Sequence, residues 1–173
     1  MRASVICEIF NSGVGEKYGT VLYGGRDEPL FLPRCDSPDE IYFRDDFASS
    51  ALHEIAHWCI AGAKRRKIID YGYWYKENRN AEEQLQFESL EIRPQALEWI
   101  FSKGAGVRFR VSLDNFERMR GGCFEFRASI REEAKNLLPL MNKRASLFLS
   151  DLVSVSGNKK ALLYETFEEM PVC

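Results

Sequence analysis

Apolar residues recur along the chain with two different spacings, and each spacing predicts its own kind of element. Near the start they follow the three- and four-residue spacing of one helix face: Val5, Ile6, Ile9 and Phe10. Three short runs rich in β-branched and aromatic residues come next, and they predict strands at 20–23, 30–32 and 41–43. The first part of the chain therefore predicts one helix and a small β-sheet.

A second helix is predicted directly after the third strand. Asp45 or Asp46 would cap its start, it would run to about Ile60, and Gly62 would end it. Its apolar residues fall on one face: Phe47, Leu52, Ile55, Ala56 and Ile60. This face predicts that the helix packs on the core of the protein.

The rest of the chain is predicted to be mainly helical. Residues 68–75 are aromatic and predict an extended segment, 80–102 predict a helix interrupted at Pro94, and 124–153 predict two helices. The chain contains no internal repeat, low-complexity tract or linker. The pattern predicts an α+β fold, with residues 1–173 forming a single helix-dominated domain that includes a small sheet.

Composition and charge exclude several functional classes. The 24 basic and 26 acidic residues give a formal net charge of −2, which favours neither nucleic acid nor an anionic membrane as a partner. No apolar run approaches the roughly 20 residues of a membrane span, and Glu8 interrupts the start before the apolar stretch of a signal peptide develops. The five cysteines lack C-x-x-C spacing, which argues against a disulfide framework and a cysteine zinc site. We expect a cytoplasmic monomer that binds neither nucleic acid nor membrane.

The predicted second helix carries the residues with the clearest chemistry. His53 and His57 are the only two histidines in the chain, and they are four residues apart. On a helix this spacing puts both imidazoles on one face, one turn apart, where they can bind one metal ion together. Glu54, which follows the first histidine in an H-E-x-x-H motif, would point near the open side of that ion. The alternative is a pair of buried helix histidines satisfied by hydrogen bonds.

The third metal ligand is expected to be a carboxylate, because the chain offers no further histidine and no paired cysteine. Glu88 and Glu91 lie one turn apart in an otherwise apolar helix, with Gln95 one turn further. We favour Glu91, because Glu-x-x-Pro-Gln resembles the Glu-x-x-Ala-Asp/Asn pattern of glutamate-ligand zinc proteins, and Gln95 would then orient its carboxylate. Glu88 is the second candidate. A solvated helix face is the alternative for either residue.

Two histidines and one carboxylate suit two kinds of reaction, and their spacing does not choose between them. With Zn²⁺, the open position holds a water, and Glu54 takes its proton so that the hydroxide attacks a peptide carbonyl. With Fe²⁺, the same ligands occupy one face and leave positions for O₂ and substrate. A third class is a noncatalytic binding module around a structural metal, which predicts a closed coordination sphere.

A wider pattern surrounds these residues. It consists of 51–62, Arg65 and Arg66, 70–75, 86–88, Glu91, 94–97 and 111–115. Together these stretches closely resemble the bacterial elongation factor P hydroxylase family, over roughly residues 5–135. Members of that family are similar to metalloproteases around the metal, in a zincin-like arrangement, but they add oxygen to the β-lysylated lysine of elongation factor P. The resemblance implies His53 and His57 as ligands, with Glu88 or Glu91 as the third.

The leading hypothesis is therefore a protein hydroxylase that binds Fe²⁺, uses O₂ as co-substrate and acts on elongation factor P. Glu54 would handle a proton at the site. The alternative enzyme is a zinc metallopeptidase in which Glu54 is the general base.

Two further stretches have both a functional and a structural interpretation. The basic run 64–67 would either guide an acidic protein partner to the site or complement the negative end of the helix dipole. The aromatic residues of 71–75, with Trp58, would either line a groove for a long lysine derivative or belong to the core.

Overall fold

The computed structural model describes residues 1–72, 79–113 and 124–172. Its helices and strands follow in this order: α1 Ala3–Ser12, α2 Val14–Lys17, β1 Thr20–Arg26, β2 Leu30–Leu32, β3 Asp39–Arg44, α3 Ala48–Ile60, α4 Ala81–Ala105, α5 Phe124–Leu137 and α6 Lys143–Ser156. Short 3-10 turns lie at Arg65–Lys67, Ile69–Gly72, Leu138–Leu140, Lys159–Leu162 and Tyr164–Phe167. The predicted α+β class, rich in helix with a small sheet, is confirmed, whereas the likeness to metalloproteases stays a prediction.

The three predicted strands form one mixed sheet in the order β1-β3-β2. β1 runs parallel to β3, with Leu22 opposite Ile41, and β2 runs antiparallel to β3, with Phe31 also opposite Ile41. These three side chains are buried, so one face of the sheet belongs to the core, and α1 and α3 pack against it. The register between β1 and β3 shifts after Tyr23, where Gly24 lies so close to Phe43 that a Cβ would come within 2.6 Å of its ring.

The start of α3 differs from the prediction. Phe47, and neither Asp45 nor Asp46, occupies the N-cap position, and no side chain caps the helix. Asp45 is held in a turn beyond β3, where its backbone exchanges hydrogen bonds with Gly25 and Arg26 at the end of β1. Phe47 is 60% exposed and does not belong to the buried face of the helix. The predicted end at Ile60 is confirmed.

The helix α4 runs without a break through Pro94, so the predicted interruption is wrong. Proline removes one backbone hydrogen bond from a helix interior, but the loss is local and packing can compensate for it. Here α4 is surrounded by α3, α5 and α6, and it buries a continuous stretch of side chains after the proline: Ala96, Leu97, Trp99, Ile100 and Phe101. A capping box between Asn80 and Glu83 begins the helix, and Gly106 ends it in a left-handed conformation that glycine adopts readily.

The segment after α3 also differs from the prediction. Ile69–Gly72 forms a 3-10 turn, and Asp70 and Tyr71 both have positive φ, so this part of 68–75 is not extended. The remainder of that predicted segment, 73–75, lies outside the described residues. The two helices predicted within 124–153 are confirmed as α5 and α6.

The C-terminal end of α3 is anchored by side chains from other parts of the chain. Arg144 of α6 donates hydrogen bonds from Nη2 to the carbonyl oxygens of Cys59 and Ala61, at 2.9 and 2.7 Å. Asn142 donates to the same Cys59 oxygen at 2.7 Å, and Arg66 donates to the Ala61 oxygen at 2.8 Å. Carbonyls at a helix end have no partner within the helix, so these bonds fix where α3 ends.

The core contains an aromatic cluster that extends from α1 to α6. Phe10 makes edge-to-face contacts with Trp58 and Phe148, and Phe148 makes another with Phe101. Cys59 is fully buried beside this cluster on α3, and burial raises the pKa of its thiol. No helix in the described parts of the chain is long and apolar enough to span a membrane.

Candidate metal centre

Two histidines of α3 and one glutamate of α4 converge on a single point. The Nε2 atoms of His53 and His57 are 3.0 Å apart. Glu91 approaches both, with its Oε2 at 3.5 Å from His53 Nε2 and its Oε1 at 3.4 Å from His57 Nε2. Among the residues that the structure describes, these three form the group whose ligand atoms, all within 4.8 Å of one another, could hold a metal ion.

The two helices place this group at the edge of the core. The buried face of α3 carries Leu52, Ile55 and Ala56, so the histidines project from its other side toward α4. The side chains of His53 and His57 keep 25% and 12% of their surface exposed. The centre is therefore reachable from outside, which a closed structural metal site would not be.

Polar residues of α4 form a buried stripe beneath these histidines. They recur at alternating four- and three-residue spacing, which keeps them on one face of the helix. The stripe consists of Gln84, Glu88, Glu91, Gln95, Glu98 and Ser102. Polar side chains are rarely buried without a reason, so this stripe indicates that α4 serves the site as well as the core.

The structure separates the two candidates for the carboxylate ligand. Glu91 faces both histidines, whereas Glu88 lies one turn earlier and accepts a hydrogen bond from Gln84 at 3.2 Å. Glu88 is not in the group that could hold a metal. The geometry favours Glu91, and its role as a ligand stays a prediction.

Gln95, which is predicted to orient Glu91, is itself held in place. The amide of Gln95 donates to the carbonyl of Ser112 at 2.7 Å and accepts from its backbone nitrogen at 3.0 Å, which leaves it little freedom. Burial alone would raise the pKa of Glu91, but His57, then His53 and a hydrogen bond from Gln95, lower it to about 2. Glu91 is therefore a carboxylate at neutral pH, as a metal ligand must be.

Glu98 is the site residue that the sequence analysis missed. Its Oε2 accepts a hydrogen bond from Nδ1 of His53 at 2.9 Å. Burial opposes a charge on His53, but Glu98 and then Glu91 raise its pKa to about 10, while burial raises the pKa of Glu98 itself. The bond to Glu98 holds the proton of Nδ1, so Nε2 is the ring atom that faces the common point and that would bind a metal after releasing its own proton. The seven-residue spacing from Glu91 was a usable signal for it.

Glu54 lies beside the histidines, half-buried. Burial raises the pKa of its carboxyl group, against the opposing effect of His53 and His57. Its carboxylate makes no hydrogen bond within the described parts of the chain. A carboxyl group with a raised pKa and free oxygens is suited to proton transfer, and this role stays a prediction.

The donor set fits a divalent cation. Two imidazole nitrogens and one carboxylate supply three ligands on one side, and this composition is used for Fe²⁺ and Zn²⁺ alike. The alternative, two helix histidines satisfied by hydrogen bonds, accounts less well for the geometry. It leaves the Nε2 atoms of His53 and His57 facing each other beside the carboxylate of Glu91.

A groove of about 680 Å³ opens next to His57. Its lining is largely apolar and includes three basic residues, Lys64, Arg65 and Arg93. Arg66 of the basic run instead donates to the end of α3, in agreement with the helix-dipole interpretation for that residue. Trp58 is fully buried in the aromatic cluster, in agreement with the core interpretation for that residue.

Comparison with known proteins identifies the family of this chain. The family model described as Elongation factor P hydroxylase matches residues 9–167. A protein of Haemophilus influenzae named Elongation factor P lysine hydroxylase is 47% identical over 133 residues, which cover 75% of this chain and 75% of that protein. Both findings confirm the resemblance seen in the sequence, and the chain belongs to the elongation factor P hydroxylase family.

Proposed function

We propose that this protein is a metal-dependent hydroxylase that acts on the β-lysylated lysine of elongation factor P. The observation that carries the proposal is the convergence of His53, His57 and Glu91 on one reachable point, in a chain of this family. The relative from Haemophilus influenzae is named as a lysine hydroxylase of the same factor.

The metal in this proposal is Fe²⁺, with O₂ as the co-substrate. Two histidines and one carboxylate on one face are the ligand set of non-haem iron oxygenases, which keeps other coordination positions open. The chemistry that Fe²⁺ supplies when bound is the activation of O₂ for hydroxylation of a C–H bond.

The protein's own residues have separate tasks at this site. His53, His57 and Glu91 hold the ion, Glu98 fixes the ring of His53, and Gln95, through its two bonds to the backbone of Ser112, fixes Glu91. Glu54 holds or releases a proton beside them, and its raised pKa supports that task. The protein substrate reaches the site from the exposed side of the two imidazoles. We expect a cytoplasmic monomer that needs neither nucleic acid nor membrane.

The test is the mass of the substrate. β-Lysylated elongation factor P, incubated in air with the iron-loaded protein and a reductant, should gain one oxygen atom by intact-mass analysis. Protein loaded anaerobically and kept without O₂ is the matched control and should leave the mass unchanged. Absence of any gain across several reductants would overturn the proposal.

A zinc metallopeptidase is the second candidate, because Glu54 lies beside the histidines with its oxygens unbonded in the described structure. Glu54→Gln separates the two functions. A peptidase would lose its turnover, because Glu54 takes the proton from the attacking water. The hydroxylase is expected to keep its metal and measurable oxygen transfer. Cleavage of elongation factor P by the zinc-loaded wild-type protein would favour the peptidase.

A further inference from the structure

The groove beside His57 is formed by two separate parts of the chain. Residues at the end of α3 and in the turn after it line one part of the groove, and residues from one stretch of α4 line the other. They include Ile60, Lys64, Arg65, Leu90, Arg93 and Pro94. Because His57 lines the same groove, a molecule bound there lies next to the candidate metal centre.

The charge of this groove is opposite in sign to that of the whole chain. The chain has a formal net charge of −2, but three lining residues are basic, and no acidic residue of the described structure is among the lining residues. Lys64 and Arg65 are exposed, and the side chain of Arg93 keeps 59% of its surface exposed. Glu133 of α5 approaches Arg93 only to 3.7 Å, and exposed ion pairs of this kind are weak. The groove therefore presents positive charge to its surroundings.

The dipole of α3 does not account for these charges. Arg66, Asn142 and Arg144 already donate to the carbonyl oxygens at the C-terminal end of that helix. Arg93 lies in the middle of α4, away from either end of its helix. Its position beside Lys64 in the lining of one groove therefore indicates a common partner.

The apolar part of the lining indicates what kind of partner fits. Leu90 is 46% exposed, and it shares the groove with Ile60 and Pro94. Apolar side chains beside exposed charges are the composition of a protein–protein contact, in which the apolar area is buried and the charges select the partner. A polypeptide that brings both carboxylates and apolar side chains complements this surface.

We propose that the groove binds an acidic segment of elongation factor P beside the modified lysine. This inference rests on the proposed function. The β-lysyl group adds amines that are protonated at neutral pH, so the basic residues of the groove would repel the modified side chain itself. That side chain reaches the exposed imidazoles, and the polypeptide next to it lies in the groove. Its carboxylates pair with Lys64, Arg65 and Arg93, and its apolar side chains contact Leu90.

The experiment removes two of the charges with the double substitution Lys64→Gln and Arg93→Gln. Calorimetry on the iron-loaded protein without O₂ measures binding of β-lysylated elongation factor P. At about 50 mM salt the variant should bind about tenfold more weakly than the wild type. At about 0.5 M salt the difference should fall below about twofold, because salt screens exposed charge pairs. Reversing the charges, with Lys64→Glu and Arg93→Glu, should weaken binding further at low salt. Iron content should be unchanged in both variants.

The matched control is the double substitution Lys67→Gln and Lys159→Gln. It removes the same number of charges from exposed positions outside the lining of the groove, and its affinity should stay within about twofold of the wild type. An equal loss in this control, unchanged affinity in the groove variants, or a loss that salt does not reduce would overturn the inference. A dimer of the free protein that the groove variants abolish would assign the groove to a second copy of the chain and overturn it as well.

The two proposals fail in different ways. The proposed function fails when the wild type adds no oxygen to elongation factor P. The present inference fails alone when the wild type adds oxygen but the groove variants bind the factor as tightly as the wild type does.

Discussion

The helix α3 contacts buried polar side chains at its C-terminal end and at its centre. The two places differ in the source of the positive charge that balances their oxygen atoms. At its C-terminal end, the guanidinium of Arg144 brings a permanent positive charge to carbonyl oxygens, and its carbon lies 4.8 Å above the ring of Trp58. At its centre, two imidazoles face the carboxylates of Glu91 and Glu98.

The difference lies in where the positive charge comes from. At the end of α3, the chain itself supplies both the cation and the donors to the carbonyl oxygens. In the proposed function the centre takes its cation from outside, and the carboxylates of Glu98 and Glu91 raise the pKa of His53 to about 10. The guanidinium of Arg144 is permanently charged, which suits an anchor that holds the end of α3. A metal ion can be lost and replaced, which suits a reaction centre. Changes at the two places should therefore damage different properties.

The largest effect is expected at the centre. His53→Ala removes one proposed ligand and should reduce metal affinity and oxygen transfer by more than about 100-fold. Loss of a residue that only orients a ligand usually costs less than this. Glu91→Ala should do the same, and Glu88→Ala is its control and should retain the metal. Metal content by mass spectrometry checks this. A Glu88→Ala protein without metal, beside a Glu91→Ala protein that keeps it, would reverse the ligand assignment.

The anchor should behave differently. Arg144→Met keeps most of the side-chain volume but removes the donors to Cys59 and Ala61, so the free energy of unfolding should fall by about 2 kcal/mol. Activity per folded molecule should stay within about twofold, because the neighbouring donors Asn142 and Arg66 remain. Urea unfolding and a rate measurement on the same samples check both values.

The neighbouring Lys143→Met serves as control for that change, because Lys143 is exposed. Its stability should change by less than about 0.5 kcal/mol. If Arg144→Met lost activity without losing stability, the distinction between anchor and centre would not hold.

A smaller effect is expected for Glu98→Gln. The amide still accepts from His53 Nδ1 but no longer carries a charge, so metal affinity should fall by about tenfold while the fold is retained. Competition with a fluorescent chelator measures it, with Glu125→Gln on the exposed surface of α5 as control. An unchanged affinity would mean that Glu98 only fills space.

The most gradual effect is the pH dependence of the metal-free protein. The pKa of His53 is raised from 6.5 to about 10, so its stabilising contribution is full below pH 6.5 and is lost as pH rises toward 10. The pKa of Glu91 is lowered from 4.5 to about 2, so its contribution is full above pH 4.5 and is lost as pH falls toward 2. The contributions of both residues to the free energy of unfolding are therefore full only between about pH 4.5 and 6.5.

Urea unfolding in EDTA across a pH series checks this dependence. His53→Ala should flatten the decline on the alkaline side, whereas Arg144→Met should lower the whole curve without changing its shape. A wild-type stability that rises between pH 7 and 9 would contradict the assignment.

Local patterns in the sequence predicted what depends on local spacing. The positions of the three strands, and the placement of His53 and His57 on one helix face, follow from periodicity alone. Glu91 and Gln95 could be singled out because their four-residue spacing puts them on one face of a predicted helix. These features need no knowledge of what packs against them.

Contacts between distant segments decided the rest. The spacing puts Glu98 on the same helix face as Glu91, but only the packing of α3 on α4 decides that it is buried against His53. Pro94 was predicted to interrupt α4, but the helices around it stabilise the segment. Asp45 was predicted to cap α3, but its backbone is hydrogen-bonded to Gly25 and Arg26 at the end of β1.

The burial of Cys59 bears on how this protein tolerates oxidants. Its thiol is two residues beyond His57, fully buried, and its raised pKa keeps it protonated. Thiolates, and not thiols, react readily with peroxides and alkylating reagents. For an enzyme that handles O₂, as proposed, the sulfur on the metal-site helix is thereby protected from sulfenic acid formation. Iodoacetamide should label the exposed Cys35 in the folded protein and reach Cys59 only on unfolding.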